Sequence, residues 1–117
     1  AIDYYNKAIE VNPNNPDSYF NSGLCLAELN NLTAAKEKFS KVIELKSDYA
    51  YAYYALGLAY EKENNIVDAV KNYEGFIEYT QDKNLKNNIQ NKVNKLKKDL
   101  QSKFVNEDEF DLMLDSL

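Results

Sequence analysis

The chain has no histidine and no arginine, and only one cysteine, two prolines and three glycines among 117 residues. Without histidine, the commonest general base and metal ligand is missing. Cys25 has no imidazole to take its proton, and a lone thiol makes neither a disulfide framework nor a zinc site. It reads as a small packing residue on a helix. There is no Gly-rich phosphate loop and no metal-ligand cluster. No enzyme reading survives, and neither a cofactor nor a small-molecule substrate is expected. No stretch reaches the ~18 consecutive apolar residues of a membrane span. No secretory signal pattern opens the chain, and a cytoplasmic location is favoured. The chain begins at Ala1, in the middle of a repeating pattern, and so reads as a fragment of a longer protein.

What is present is charge in blocks and a periodic pattern. Overall charge is −5. Residues 1–82 hold 7 Lys and 13 acids, residues 83–103 hold 7 Lys and one acid, and residues 104–117 hold 5 acids and no Lys. The basic segment raises the question of phosphate binding. Its lysines lie among asparagines, with no arginine and little aromatic interleaving. It reads as a solvated helix face, and neither nucleic acid nor membrane is an expected partner.

The pattern has a period of 34 residues. Tyr19, Phe20 and Gly23 recur as Tyr53, Tyr54 and Gly57. Ala35, Phe39 and Ile43 recur as Ala69, Tyr73 and Ile77, and Ala1, Tyr5 and Ile9 precede them in the same register. A fixed period of this length marks a repeated supersecondary unit. Helices are expected over Ala1–Val11, Asp17–Leu29, Thr33–Leu45, Tyr49–Lys62, Val67–Tyr79 and Leu85–Phe104, with no strands. Pro13 and Pro16 end the first, since proline cannot continue the donor ladder. Asn15 or Asp17 can cap the second. Asn30-Asn31 and Asn64-Asn65 make turns, because asparagine tolerates the left-handed backbone. Thr33, with Glu37 nearby, would support the start of the third helix. Gly23 and Gly57 sit inside helices at a cost of ~1 kcal/mol each, which implies close backbone approach, with Ala35 and Ala69 as the expected neighbours. Gly75 reads as another close contact. In the last long helix Leu85, Ile89, Val93, Leu96, Leu100 and Phe104 draw one apolar stripe on an otherwise polar surface, as suits the end of a stack.

These residues resemble the tetratricopeptide repeat, a helix–turn–helix of about 34 residues. Its signature slots hold Tyr19, Ser22, Gly23, Leu26, Ala35, Phe39, Val42 and Ser47 in one unit. In the next they hold Tyr53, Leu56, Gly57, Tyr60, Ala69, Tyr73, Phe76 and Gln81. A leading half-unit supplies Ala1, Tyr5, Ala8 and Pro13. Ser22 departs from the usual Leu, Val42 and Phe76 from small Ala, and Ser47 and Gln81 from Pro; Phe76 bears on how the last helix docks. The resemblance implies an all-α helical repeat solenoid with a C-terminal capping helix and an amphipathic acidic tail. The divisions are 1–15 as the second helix of a leading repeat, 16–49 and 50–83 as repeats, 84–104 as the cap and 105–117 as the tail.

The resemblance also implies a protein–protein interaction module, an adaptor or scaffold. Such repeats hold a protein or peptide partner on the concave face lined by each unit's first helix. The lining slots of the first full unit are Asp17, Phe20, Leu24, Ala27 and Glu28; those of the second are Tyr51, Tyr54, Leu58, Glu61 and Lys62. That is an apolar floor with acidic rims, suited to an apolar or amphipathic helical ligand. A sub-class clamps the C-terminal carboxylates of heat-shock chaperones with Lys and Asn. Its slots here hold Phe20, Leu24, Ala55, Leu85 and Ile89, none of which pairs with a carboxylate, so that ligand is not expected. A plain structural spacer within a longer array is the competing reading.

In the tail, Phe110, Met113, Leu114 and Leu117 are spaced as anchors of an amphipathic helix. Glu107, Asp108 and Glu109 would favour the start of that helix. The alternative is an unstructured acidic tail. As a ligand-like helix it has three possible receptors: another protein, this chain's own groove in cis, or a neighbouring copy in trans. The last would make the chain a homo-oligomerisation module.

Overall fold

The computed structural model describes residues 2–102 and 107–116, for the backbone alone over 107–110. The described residues form seven α-helices: α1 (Ile2–Val11), α2 (Pro16–Glu28), α3 (Leu32–Leu45), α4 (Ala50–Lys62), α5 (Ile66–Tyr79), α6 (Lys83–Gln101) and α7 (Glu107–Asp115). Both bounds of α4 lie 34 residues after those of α2, and both bounds of α5 lie 34 after those of α3.

The turns explain this register. Asn30 and Asn64 adopt φ of 60° and 59°. The N–H of Asn31 donates to the carbonyl of Leu26 and that of Asn30 to Ala27, a Schellman closure that satisfies the last carbonyls of α2. Asn65 and Asn64 repeat it on Tyr60 and Glu61. The second asparagine of each pair also caps the next helix, its side chain accepting the N–H of Ala34 or Asp68. The cap of α3 is Asn31, and the helix starts at Leu32, one residue before the expected Thr33. At the start of α2, Asn15 is the cap and Pro16 takes the first helical position, where its missing N–H costs nothing. One period further on, Lys98 and Asp99 stand where the asparagine pairs stood. Lysine gains nothing in the left-handed region, and α6 runs on to Gln101 instead of turning.

The helices stack in chain order, each on the one before, in a body of 52 × 28 × 22 Å. Three clusters fill the stack. Tyr19, Val42 and Ala52 form one, and Ala35, Phe39, Ala55 and Leu56 the next. Ala69, Val70, Tyr73 and Phe76 meet Ile89 and Val93 of α6 in the third. The bulky Phe76 is fully buried there, filling the α5–α6 interface that a small residue would leave open. The close neighbour of each inter-helix glycine is an aromatic ring. A Cβ on Gly23 would lie 2.5 Å from the ring of Phe39, and one on Gly57 2.5 Å from that of Tyr73. The expected neighbours Ala35 and Ala69 lie one turn earlier on the same helices. Gly75 receives the ring of Tyr53 in the same way.

Candidate functional site

α2 and α4 are the first helices of successive helix pairs, and they lie side by side. Their period puts Leu24 and Leu58 in equivalent places. Both stay partly open to solvent, at 40% and 37%. Between them is a cleft of 280 Å³ walled by Leu24, Ala27, Phe39 and Leu58, with Glu28 and Lys62 at its edges. A second cleft of 180 Å³ continues toward α6, lined by Leu58, Glu61, Lys62 and Lys92. Leu58 and Lys62 belong to both.

Six of the residues read from the sequence as groove lining, Leu24, Ala27, Glu28, Leu58, Glu61 and Lys62, thus meet along one continuous surface. The others are placed differently. The ring of Phe20 lies 5.8 Å from Phe39 and 5.3 Å from Tyr49, half-buried between the helix pairs. Tyr54 packs edge-on against Tyr73 and Phe76. Tyr51 touches Phe76 but is 50% exposed. Asp17 accepts the hydroxyl hydrogen of Tyr49 across 2.7 Å, tying α2 to the start of α4. Burial and that bond raise the phenol pKa of Tyr49.

The two clefts differ in chemistry at matching positions. Phe39, Ala27 and Leu58 become, 34 residues later, Tyr73, Glu61 and Lys92. Tyr73 is fully buried, yet its hydroxyl donates to Glu61 Oε1 across 2.7 Å. The same oxygen receives Lys92 Nζ at 2.8 Å. Burial raises the Tyr73 phenol pKa, and the bond to Glu61 raises it further. At Glu61 burial acts upward, but the bonds from Lys92 and Tyr73 outweigh it and lower the carboxyl pKa. Phe39, Ala27 and Leu58 therefore wall the α2–α4 cleft with apolar groups, whereas Glu61 and Lys92 line the α4–α6 cleft with charge and the buried Tyr73 hydroxyl holds Glu61 from behind. Tyr73 and Lys92 were not among the sequence candidates; their alignment with Phe39 and Leu58 was the available signal.

Family comparison follows the same register. Models described as tetratricopeptide repeat match residues 4–37 and 51–79, and one described as TPR repeat matches 23–64. The chain belongs to the tetratricopeptide repeat family. No curated protein matches it by sequence. Among solved tetratricopeptide structures, the first TPR of Spaghetti (RPAP3), bound to an HSP90 peptide, is 25% identical with a TM-score of 0.75, over 86% of this chain and 77% of that one. YrrB, a TPR protein with an unusual peptide-binding site, is 27% identical with a TM-score of 0.72, over 80% of this chain and 48% of that one. The N-terminal domain of stress-induced protein-1 from C. elegans shares the fold at 24% identity and a TM-score of 0.70, over 79% of this chain and 75% of that one.

The tail of this tetratricopeptide chain lies away from the α2–α4 cleft. Leu114 and Asp115 of α7 border a 470 Å³ hollow with Lys71, Glu74 and Lys97 of α5 and α6. Met113 and Leu114 are half-buried, and Leu112 is 69% exposed. The Phe110 side chain and Leu117 lie outside the described residues. Among those residues, no group of His, Cys, Asp and Glu has the makings of a metal site. No helix there is long and apolar enough to cross a membrane.

Proposed function

We propose that this chain is a peptide-binding adaptor that seats an apolar or amphipathic helix on the surface formed by α2, α4 and α6. In this reading residues 16–49 and 50–83 are the two working repeats, 84–104 closes the stack and 105–117 is a separate acidic tail. The observation that carries it is the apolar cleft between Leu24 and Leu58, two exposed leucines at one repeat offset whose neighbours leave room for an incoming side chain. Two similar structures support it: one is described with a bound HSP90 peptide, the other with a peptide-binding site. A chaperone carboxylate clamp is not proposed, because Phe20, Leu24, Ala55, Leu85 and Ile89 carry no basic or amide group. The absence of histidine fits a binding module better than a catalyst.

The test is selection of binders from a random peptide library on the intact chain. Selected peptides should carry bulky apolar residues at helical spacing and should lose binding to Leu58→Asp. Equal binding to the wild type and to Leu58→Asp would refute the groove.

A second reading, self-association, draws on the acidic α7 beside Lys71 and Lys97. A tail seated there in cis offers the same seat to a neighbouring copy's tail. Light scattering at rising concentration checks it. A mass that stays monomeric removes this reading.

A further inference from the structure

Resting on the groove reading above, we infer that this chain selects a helix carrying an acidic side chain one turn from a bulky apolar one. The apolar side chain enters the α2–α4 cleft, and the carboxylate sits between Lys62 and Lys92. Three observations carry this. The two clefts share Leu58 and Lys62, so their occupants must be neighbours on the ligand. The α4–α6 cleft holds two ammonium groups and one carboxylate. Glu61 is already engaged, its Oε1 taking both the Tyr73 hydroxyl and Lys92, whereas Lys62 has no ion pair among the described residues. The surplus charge is thus positive and faces the cleft. Glu28 borders the apolar cleft from α2, which sets a direction: the ligand's acid lies on the α6 side.

The test uses the full chain and three labelled peptides in fluorescence anisotropy. The first has the sequence of residues 104–117, which is acidic and amphipathic. The second replaces all five acids by their amides (Glu107→Gln, Asp108→Asn, Glu109→Gln, Asp111→Asn and Asp115→Asn), and the third places lysine at the same five positions. The acidic peptide is expected to bind best, the amide analogue several-fold weaker and the lysine analogue weakest. Lys62→Glu, at an exposed unpaired position, is expected to weaken the acidic peptide by about tenfold and to leave the amide analogue nearly unchanged. Equal affinity for all three peptides, with loss in Leu58→Asp, overturns the carboxylate seat and leaves the groove standing. Tightest binding of the lysine analogue overturns the sign of the seat. No binding of any of the three overturns the seat alone when a library-selected apolar peptide still binds the wild type and is lost in Leu58→Asp, and counts against the groove as well when that peptide binds both equally.

Discussion

The buried hydroxyl of Tyr73 donates to Glu61 Oε1 across 2.7 Å, from the second helix of one pair to the first. One period earlier the same two places hold Phe39 and Ala27, which share only an apolar contact surface. A repeat that keeps its backbone register has changed the chemistry of one helix contact at one step.

Tyr73→Phe keeps the ring and removes the bond. Stability is expected to fall by about 1–2 kcal/mol, since the acceptor is charged but partly solvated. Urea denaturation followed by circular dichroism measures it. No loss would mean that water replaces the phenol without cost.

The carboxyl of Glu61 is held below its ordinary pKa of 4.5. A lowered pKa in the folded state adds stability that is complete above the ordinary value and is lost as pH falls through the folded one. Glu61→Gln should therefore be less stable than wild type at neutral pH and should lose less on acidification. Parallel thermal melts from neutral pH down to below 4 compare the two; superimposable pH profiles would contradict the assignment. The raised phenols of Tyr49 and Tyr73 act at the other end. Their stabilisation is full below the ordinary value of 10.0 and declines as pH rises beyond it.

Gly57→Ala sets two effects against each other. Helix propensity favours alanine by ~1 kcal/mol. The new Cβ would lie 2.5 Å from the ring of the fully buried Tyr73. Overpacking of this kind costs typically ~1–3 kcal/mol, so a net loss of stability is expected. A higher melting temperature for Gly57→Ala would show that the ring shifts freely.

Asn64 has φ of 59°. Asn64→Gly should be close to neutral, whereas Asn64→Val should lose ~1–2 kcal/mol, because a β-branched side chain is strained there. Equal stability of the two variants would argue against the left-handed turn.

Ser22 is fully buried and its hydroxyl has no hydrogen-bond partner among the described residues. Ser22→Ala removes that unmatched group with little change of volume and is expected to stabilise by about 1 kcal/mol. A loss of stability in a thermal melt would reveal a partner for the hydroxyl.

The period, the helix order and the asparagine turns were legible because each rests on local backbone rules. Asn30 and Asn64 take the left-handed conformation that their side chains tolerate, and proline at 13 and 16 marks the α1–α2 break. What meets across helices was less legible. Gly23 and Gly57 were rightly read as close approaches, but the ring that fills each space comes from Phe39 or Tyr73, one turn beyond the expected alanine. Helix phase, not composition, decides between neighbours one turn apart. Phe20 reaches Tyr49 at the start of the next helix pair, and Tyr54 packs on Tyr73 and Phe76 of its own pair, contacts between helices that the sequence of one helix does not encode. The Tyr73–Glu61–Lys92 set joins three helices and shows only when the periods are laid over one another.

On the proposed reading the partner lies along α2 and α4. The most direct test is amide chemical-shift mapping of the isotope-labelled chain, titrated with a peptide selected for binding. Perturbations are expected to centre on Leu24, Ala27, Leu58 and Lys62 and to extend to Lys92. Perturbations confined to α3, the outer face of α5 or the hollow beside Lys71 and Lys97 would contradict it.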